Sequence, residues 1–158
     1  MRPTAPELMA AIVESLERQV APNLQDKWAA SALRSATQLL NHLAIRIERE
    51  GRVLVEDNRD VRHVLEAALP RLAAQAEFFD LRAVVEKALS DPEPSLQDTA
   101  GLDARNEIYQ TAVELLLRRP GMRTLDGSSV YESLRDYLHR RLQREYPLYF
   151  PVFTHPPF

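Results

Sequence analysis

Apolar residues between Leu24 and Ile47 recur every three or four positions, and this spacing constrains the fold more than any other feature of the chain. An α-helix completes a turn every 3.6 residues, so the spacing gathers these side chains on one side of a helix. They cover more than half of the helix surface, which predicts a buried central helix over residues 23–50 that ends at Gly51 with a left-handed C-cap. The set is Leu24, Trp28, Ala29, Ala32, Leu33, Ala36, Leu39, Leu40, Leu43, Ala44 and Ile47.

The same spacing continues on both sides of this run. Residues 4–7, Thr-Ala-Pro-Glu, match a capping box for a first helix. A third helix is expected to begin at Asp57 or Asn58, and Pro70 is expected to kink or break it. Two more helices are predicted over about 102–119 and 129–146, beyond a Pro-rich linker at 91–95, and the Pro-Gly pair at 120–121 is expected to end the first of them. Because no segment shows the alternation of a strand, the sequence predicts an all-α, single-domain bundle of about five helices over residues 1–146.

Residues 147–158 have an unusual composition, with four prolines and four aromatic residues. Prolines at this density predict an extended, polyproline-like tail rather than a helix. Two interpretations remain open: the tail folds back onto its own bundle, or it docks on a partner chain. The candidate docking residues are Tyr149, Phe150, Phe153 and Phe158.

Composition excludes several classes of function. The chain of 158 residues has no cysteine, so disulfides, thiol nucleophiles and zinc ribbons are excluded. Its net charge of −3 lacks the basic excess typical of nucleic-acid binders. No run approaches the roughly 20 apolar residues of a membrane span, and the first residues do not resemble a signal peptide. With four glycines and no phosphate-binding loop, no cofactor is predicted, and we expect a cytoplasmic protein.

Two pairs of residues have spacing that suits metal binding. Asp60 with His63, and Asp136 with His139, place a carboxylate and an imidazole three residues apart on one helix face. Di-iron bundles use similar pairs, so a metal-dependent enzyme is one alternative. Such spacings are also common among solvent-facing residues. Because Asp136 lies about 200° around its helix from the apolar Leu134, we favour the solvent-facing interpretation and predict no metal site.

Other polar residues also allow two interpretations. His42 lies in the most apolar segment, and without a nucleophile at useful spacing it is interpreted as a histidine at the edge of the core rather than a general base. Arginines cluster near the end of the last predicted helix. They suit the negative end of a helix dipole, or an acidic surface of a partner. The cluster comprises Arg135, Arg140, Arg141 and Arg144.

Residues 2–65 resemble a bacterial domain of unknown function that is fused to, or encoded beside, aminoglycoside-phosphotransferase-like proteins. The similarity lies in residues 2–8, in residues 14–17, and in the end of the long helix at 43–51. The resemblance implies an accessory role beside a phosphotransferase-like or catabolic enzyme. It implies no catalytic residue.

The sequence therefore predicts a non-enzymatic accessory or interaction protein, whose partner is a phosphotransferase-like enzyme or another copy of the chain. One alternative is the metal-dependent bundle enzyme. The other is a carrier of a small apolar ligand, with its pocket between helices near Trp28.

Overall fold

The computed structural model describes residues 2–124 and 129–153, with side chains up to residue 149. Within these residues the chain forms five α-helices and no strand, which confirms the predicted all-α class. A π-helical turn (Leu16–Val20) and a 3₁₀ turn (Ala21–Asn23) follow the first helix, and another 3₁₀ turn (Ala76–Phe78) precedes the third. The helices are α1 (Ala5–Ser15), α2 (Lys27–Ala73), α3 (Phe79–Ser90), α4 (Thr99–Arg118) and α5 (Ser129–Phe153).

The capping box at the start of α1 is confirmed. The Thr4 hydroxyl accepts a hydrogen bond from the Glu7 backbone N–H at 3.4 Å. The Glu7 carboxylate accepts one from the Thr4 backbone N–H at 2.7 Å, and this bond lowers the pKa of Glu7. Two N–H groups that the first turn leaves without helical partners are therefore satisfied.

α2 is one continuous helix where the sequence analysis predicts two. Gly51 lies inside it and has no positive φ, so the predicted left-handed C-cap is wrong. Asp57 and Asn58 are not caps either, because both are buried in the helix interior. Pro70 does not break the helix, which ends three residues later at Ala73. The apolar spacing continues from residue 51 onward, and packing of that face outweighs the weak local signals of one glycine and one proline.

The chain divides into two compact units. The first unit contains residues 1–50 and 145–158, and the second contains residues 51–144. The predicted boundaries of one domain over 1–146 and a tail over 147–158 stay a prediction.

The second unit has an extensive core. Its buried residues come from the later part of α2, from α3 and α4, from the first part of α5, and from the segments between them. Gly121, with φ at +86°, turns the chain after α4, as the Pro-Gly pair at 120–121 predicts. The core cluster consists of Val61, Val64, Leu65, Ala68, Leu72, Phe78, Leu81, Val85, Ala88, Tyr109, Ala112, Val113, Leu116, Met122, Val130, Leu134 and Tyr137.

The linker between α3 and α4 is fixed from one side by Arg105. Its guanidinium donates hydrogen bonds to the backbone carbonyls of Ala88 and Pro92 at 3.3 and 3.2 Å. It also contacts the carboxylate of Asp91 at 3.4 Å. These bonds hold the Pro-rich segment at 91–95 against α4, so the linker is an ordered connection within the second unit.

The first unit has few buried side chains. Among its described residues only Val13, Thr37 and Leu148 are buried. The prediction that residues 23–50 form a buried central helix is therefore wrong: Trp28 is 79% exposed and Leu39 is 61% exposed. The period of the apolar residues gives the helix correctly, but the period does not say whether the rest of the fold covers the apolar face.

The predicted extended tail is wrong for residues 147–153, because α5 continues through Pro147 and Pro151 to Phe153. These prolines are one helical turn apart, so the two missing N–H groups affect the same side of the helix. Leu148, between them, is buried, and this burial favours continuation of the helix. Residues 154–158, Phe158 included, lie outside the described residues.

In the part of the chain that the structure describes, no helix combines the length and the apolar character needed to cross a bilayer.

Candidate functional site

The densest polar cluster lies in the second unit, around the buried carboxylate of Asp57 on α2. One oxygen, Oδ2, accepts hydrogen bonds from the Asn106 amide at 2.8 Å and from the Tyr137 hydroxyl at 2.9 Å. The Gln110 amide approaches the same oxygen at 3.4 Å. The other oxygen, Oδ1, accepts from the Arg144 guanidinium at 2.7 Å. Side chains of α4 and α5 therefore converge on one carboxylate of α2.

Asp60, one turn after Asp57, extends this cluster toward solvent. Arg140 binds its carboxylate through two N–H groups at 2.8 and 2.9 Å. Arg144 contacts it at 2.8 Å and so connects Asp60 with Asp57. Partial burial alone would raise the pKa of Asp60, but the hydrogen bonds from Arg140 and Arg144 outweigh it and lower that pKa.

Tyr137 closes the buried side of the cluster. Its ring is fully buried, and its hydroxyl is also hydrogen-bonded to the Gln110 amide. Burial, together with the negative charge of Asp57, raises the pKa of Tyr137. The hydroxyl thus remains protonated and keeps donating to Asp57 at physiological pH.

The cluster is built to hold three helices together. The carboxylate of Asp57 already accepts from Asn106, Tyr137 and Arg144, so little acceptor capacity is left for a substrate or a metal ion. A buried carboxylate with this many donors is the centre of a polar network, and such networks favour one packing arrangement. The geometry therefore assigns Asp57 a structural task.

The sequence pattern does not indicate this cluster, because it predicts a helix cap at Asp57 or Asn58. The available signal was the pair of polar residues followed, after residue 60, by uninterrupted apolar spacing. The arginines of α5 were also misinterpreted in part. Arg140 and Arg144 bind Asp60 and Asp57 within the unit, rather than serving a helix end or a partner's surface.

The four residues considered as metal ligands do not form one site. Asp60 is occupied by Arg140 and Arg144, whereas His63, Asp136 and His139 are exposed. The described residues contain no group of three or more His, Asp or Glu side chains that is able to hold a metal ion. Three or four ligands are the usual minimum for a protein metal site, so this geometry gives the di-iron alternative no support.

A second ionic cluster connects α2, α4 and the linker. Arg62 contacts the carboxylate of Glu93 at 3.0 Å and lies 3.4 Å from the hydroxyl of Tyr109. Tyr109 donates its own hydrogen bond to Glu93. Burial, with the nearby Glu93 carboxylate, raises the pKa of Tyr109 to about 12. This cluster holds the linker in place and leaves none of its three side chains without a partner.

A shallow groove of about 470 Å³ lies between α3 and α4. Its lining is apolar at four positions and polar at three, and consists of Val84, Ala88, Ile108 and Ala112 with Lys87, Asp91 and Thr111. The ligand-carrier hypothesis placed its pocket near Trp28 instead. That side chain is 79% exposed, and the carrier hypothesis stays a prediction.

His42 lies on α2 in the first unit and is partly buried. Its Nδ1 atom has no hydrogen-bond partner among the described residues. The partial burial agrees with a histidine at the edge of a core, but the hydrogen bond to a neighbouring helix expected with it is not present at Nδ1 in the described part of the chain.

Of the four aromatic residues predicted to dock a partner, the structure describes the side chain of Tyr149, which is 52% exposed. Phe150 and Phe153 lie in the helical end of α5, and their side chains lie outside the described residues, as does all of Phe158. Their role in docking stays a prediction.

The most prominent exposed apolar feature is a row of six residues on the first part of α2, which we call the α2 stripe. Successive members are spaced by 4, 4, 3, 4 and 4 residues, so they fall within an arc of about 100°. Every member is exposed to solvent. The stripe consists of Trp28, Ala32, Ala36, Leu39, Leu43 and Ile47.

Charge is nearly absent from this part of the helix. Within the span of the stripe, residues 28–47, the charged residues are Arg34 and Arg46. At 100° per residue, Arg34 lies on the side of the helix away from the α2 stripe, whereas Arg46 lies at one edge of its arc, five turns after Trp28. A solvent-facing helix surface ordinarily carries charged residues, and a contiguous exposed apolar patch is typical of an interaction surface.

Comparison of the chain with protein-family models, with curated proteins and with solved structures finds no match. The resemblance of residues 2–65 to the phosphotransferase-associated domain therefore stays a prediction.

Proposed function

We propose that this protein is a non-enzymatic interaction protein of the cytoplasm, which binds another protein chain through the α2 stripe. The observation that carries the proposal is the exposure of four large side chains, Trp28, Leu39, Leu43 and Ile47, along one face of one helix. Exposure of these apolar side chains to water is unfavourable. A partner that covers the α2 stripe removes them from water, and this burial stabilises the complex.

The division of polar and apolar features between the units supports this function. In the second unit, Asp57 and Asp60 are bound by Arg144 and Arg140. The first unit exposes apolar side chains and buries few. This arrangement suits an interaction protein. The second unit stabilises the chain, and the first unit offers an apolar helix face on which a partner helix is able to pack.

Two classes of partner agree with the sequence analysis: a phosphotransferase-like enzyme, which the resemblance implies, and a second copy of this chain. Both predict that an apolar helix face of the partner lies on the α2 stripe. Neither requires a catalytic residue in this chain.

The test is affinity purification of the full-length tagged chain from its native organism, with an untagged copy also expressed. We expect a stoichiometric companion, either the untagged copy or a protein identified by mass spectrometry. The double variant Leu39→Glu/Leu43→Glu is expected to lose this companion, because two charges in the interface lose their hydration.

Leu142→Glu is the matched control, since Leu142 on α5 is 65% exposed, close to the 61% of Leu39. This variant is expected to keep the companion. Circular dichroism and thermal unfolding of both variants check that they fold. Wild-type protein that purifies alone, or a companion that the stripe variant retains, would contradict the proposal.

A further inference from the structure

We propose that two copies of this chain pair through the α2 stripe, with the two helices antiparallel and related by a two-fold axis between Ala36 and Leu39. This inference rests on the proposed interaction function and names its partner. Three features of the α2 stripe support it: its spacing, the order of its large and small side chains, and its exposure.

The spacing is the same in both directions. From Trp28 to Ile47 the steps are 4, 4, 3, 4 and 4 residues, so reversal of the helix leaves the pattern unchanged. A two-fold interface requires such self-complementarity, because each contact occurs twice with the roles of the copies exchanged. In the antiparallel pair, Trp28 of one copy lies opposite Ile47 of the other.

The order of large and small side chains selects the antiparallel direction. The alanines of the α2 stripe are in its first half, and its leucines are in its second half. Antiparallel pairing places Ala32 opposite Leu43, and Ala36 opposite Leu39. Each leucine then packs into the space above an alanine, which gives close packing at the usual 8–10 Å between helix axes.

A parallel pair would lack this complementarity. It would place the two leucines of one copy against those of the other, the two alanines against the alanines, and Trp28 against Trp28. Helices at one separation cannot close-pack all of these pairs, so gaps would remain beside the alanines and contacts would be lost.

Exposure and charge agree with a pair of identical chains. The four large side chains of the α2 stripe are 46–79% exposed, so a pair that covers them removes apolar surface from water on both copies. Arg34 lies on the far side of the helix, and the two copies of Arg46 lie near opposite ends of the seam, about 25 Å apart along it. No like charges therefore meet along the seam, although the two surfaces are identical.

Disulfide cross-linking of the full-length chain tests the geometry directly, and the absence of native cysteine makes each introduced thiol unique. Copies carrying Ala32→Cys are mixed with copies carrying Leu43→Cys, one of the two bearing a larger tag. We expect a cross-linked dimer that contains one copy of each. Either variant alone is expected to stay uncross-linked, because equivalent positions would be about 16 Å apart, beyond the reach of a disulfide.

Light scattering and sedimentation supply the second measurement. Wild-type protein is expected to be a dimer, and Leu39→Glu is expected to raise its dissociation constant by about 30-fold or more, as for a central hot-spot residue. Leu142→Glu should leave the dissociation constant unchanged. Tyrosine and tryptophan fluorescence, with circular dichroism, establishes that each variant is folded.

The outcomes separate this inference from the function on which it rests. Cross-links within either single variant would show parallel pairing and overturn the antiparallel arrangement. A wild-type monomer at all attainable concentrations would overturn self-pairing. If that monomer still binds a different protein through the α2 stripe, as the purification test measures, the interaction function stands; if it binds none, both proposals fail.

Discussion

Two stretches of the same helix have opposite surroundings. In α2, Leu65 belongs to the second unit and is fully buried, whereas Leu39 belongs to the first unit and is 61% exposed. Both lie in segments with the same 3.6-residue apolar period. The period describes a helix with one apolar side, and the neighbouring elements decide whether that side lies in a core or at a surface.

The comparison extends to polar groups. The second unit buries Asp57, Asn58, Arg105 and Asn106, and each of them is hydrogen-bonded to a group distant in the sequence. The first unit buries one polar residue, Thr37, whose hydroxyl donates to a carbonyl of its own helix at 2.9 Å. Long-range polar bonds fix the packing of the second unit, while the first unit depends mainly on local helix bonds. The second unit should therefore dominate the stability of the chain.

The largest expected difference in unfolding free energy is between the same substitution, leucine to alanine, in the two units. Leu65→Ala should lower the free energy of unfolding by about 3–5 kcal/mol, because it leaves a cavity in a closely packed core. Leu39→Ala should change it by less than about 0.5 kcal/mol when unfolding is measured at low protein concentration, where a second copy does not contribute. Urea unfolding followed by circular dichroism measures both. Equal losses of unfolding free energy for the two variants would contradict the conclusion that α2 is buried in the second unit and exposed in the first.

Asp57→Ala should cost about 3 kcal/mol, because it leaves the Arg144 charge and the donors of Asn106 and Tyr137 partly buried without their acceptor. Asp136→Ala is the matched control, since Asp136 is exposed on α5, and it should have little effect. Equilibrium unfolding in urea compares the two. A loss of under about 1 kcal/mol for Asp57→Ala would show that the cluster does not hold the helices together.

Tyr137→Phe should cost about 1–2 kcal/mol, since it removes the hydroxyl that connects Asp57 with Gln110 while the ring remains packed. Tyr149→Phe, at an exposed tyrosine of the same helix, is the control and should be neutral. Thermal unfolding of both variants gives the difference. A neutral Tyr137→Phe would mean that the hydroxyl contributes nothing to the second unit.

Alkaline pH should destabilise the second unit through its tyrosines. The pKa values of Tyr109 (about 12) and Tyr137 are raised in the fold. Above about pH 10 the unfolded chain therefore releases these protons first. Stability is complete below that pH and declines as the pH rises toward the folded-state values. Urea unfolding between about pH 8 and about pH 11 should show the decline, and Tyr137→Phe should reduce it.

The smallest expected change in stability comes from a substitution at Gly51, where the residues of the first unit in α2 end. Gly51 lies inside α2, and an added Cβ would meet no atom within 4 Å. Gly51→Ala should therefore stabilise the chain by about 0.5–1 kcal/mol, because alanine loses less backbone freedom on folding. A loss of stability in the thermal unfolding of this variant would indicate the left-handed cap that the sequence suggests. Gly121→Ala is the contrast, since φ at +86° makes it destabilising.

The sequence by itself determined the helical class, the approximate number of helices, the capping box at Thr4 and the turn at Gly121. These features depend on local chemistry: side-chain period, hydrogen bonds within one turn, and the freedom of glycine at positive φ. Only the tertiary structure decided that α2 continues through Gly51, that Asp57 is the centre of a buried network, and that the α2 stripe faces solvent. These outcomes depend on residues far apart in the chain, such as Asp57 and Arg144, and a local pattern does not contain their energies.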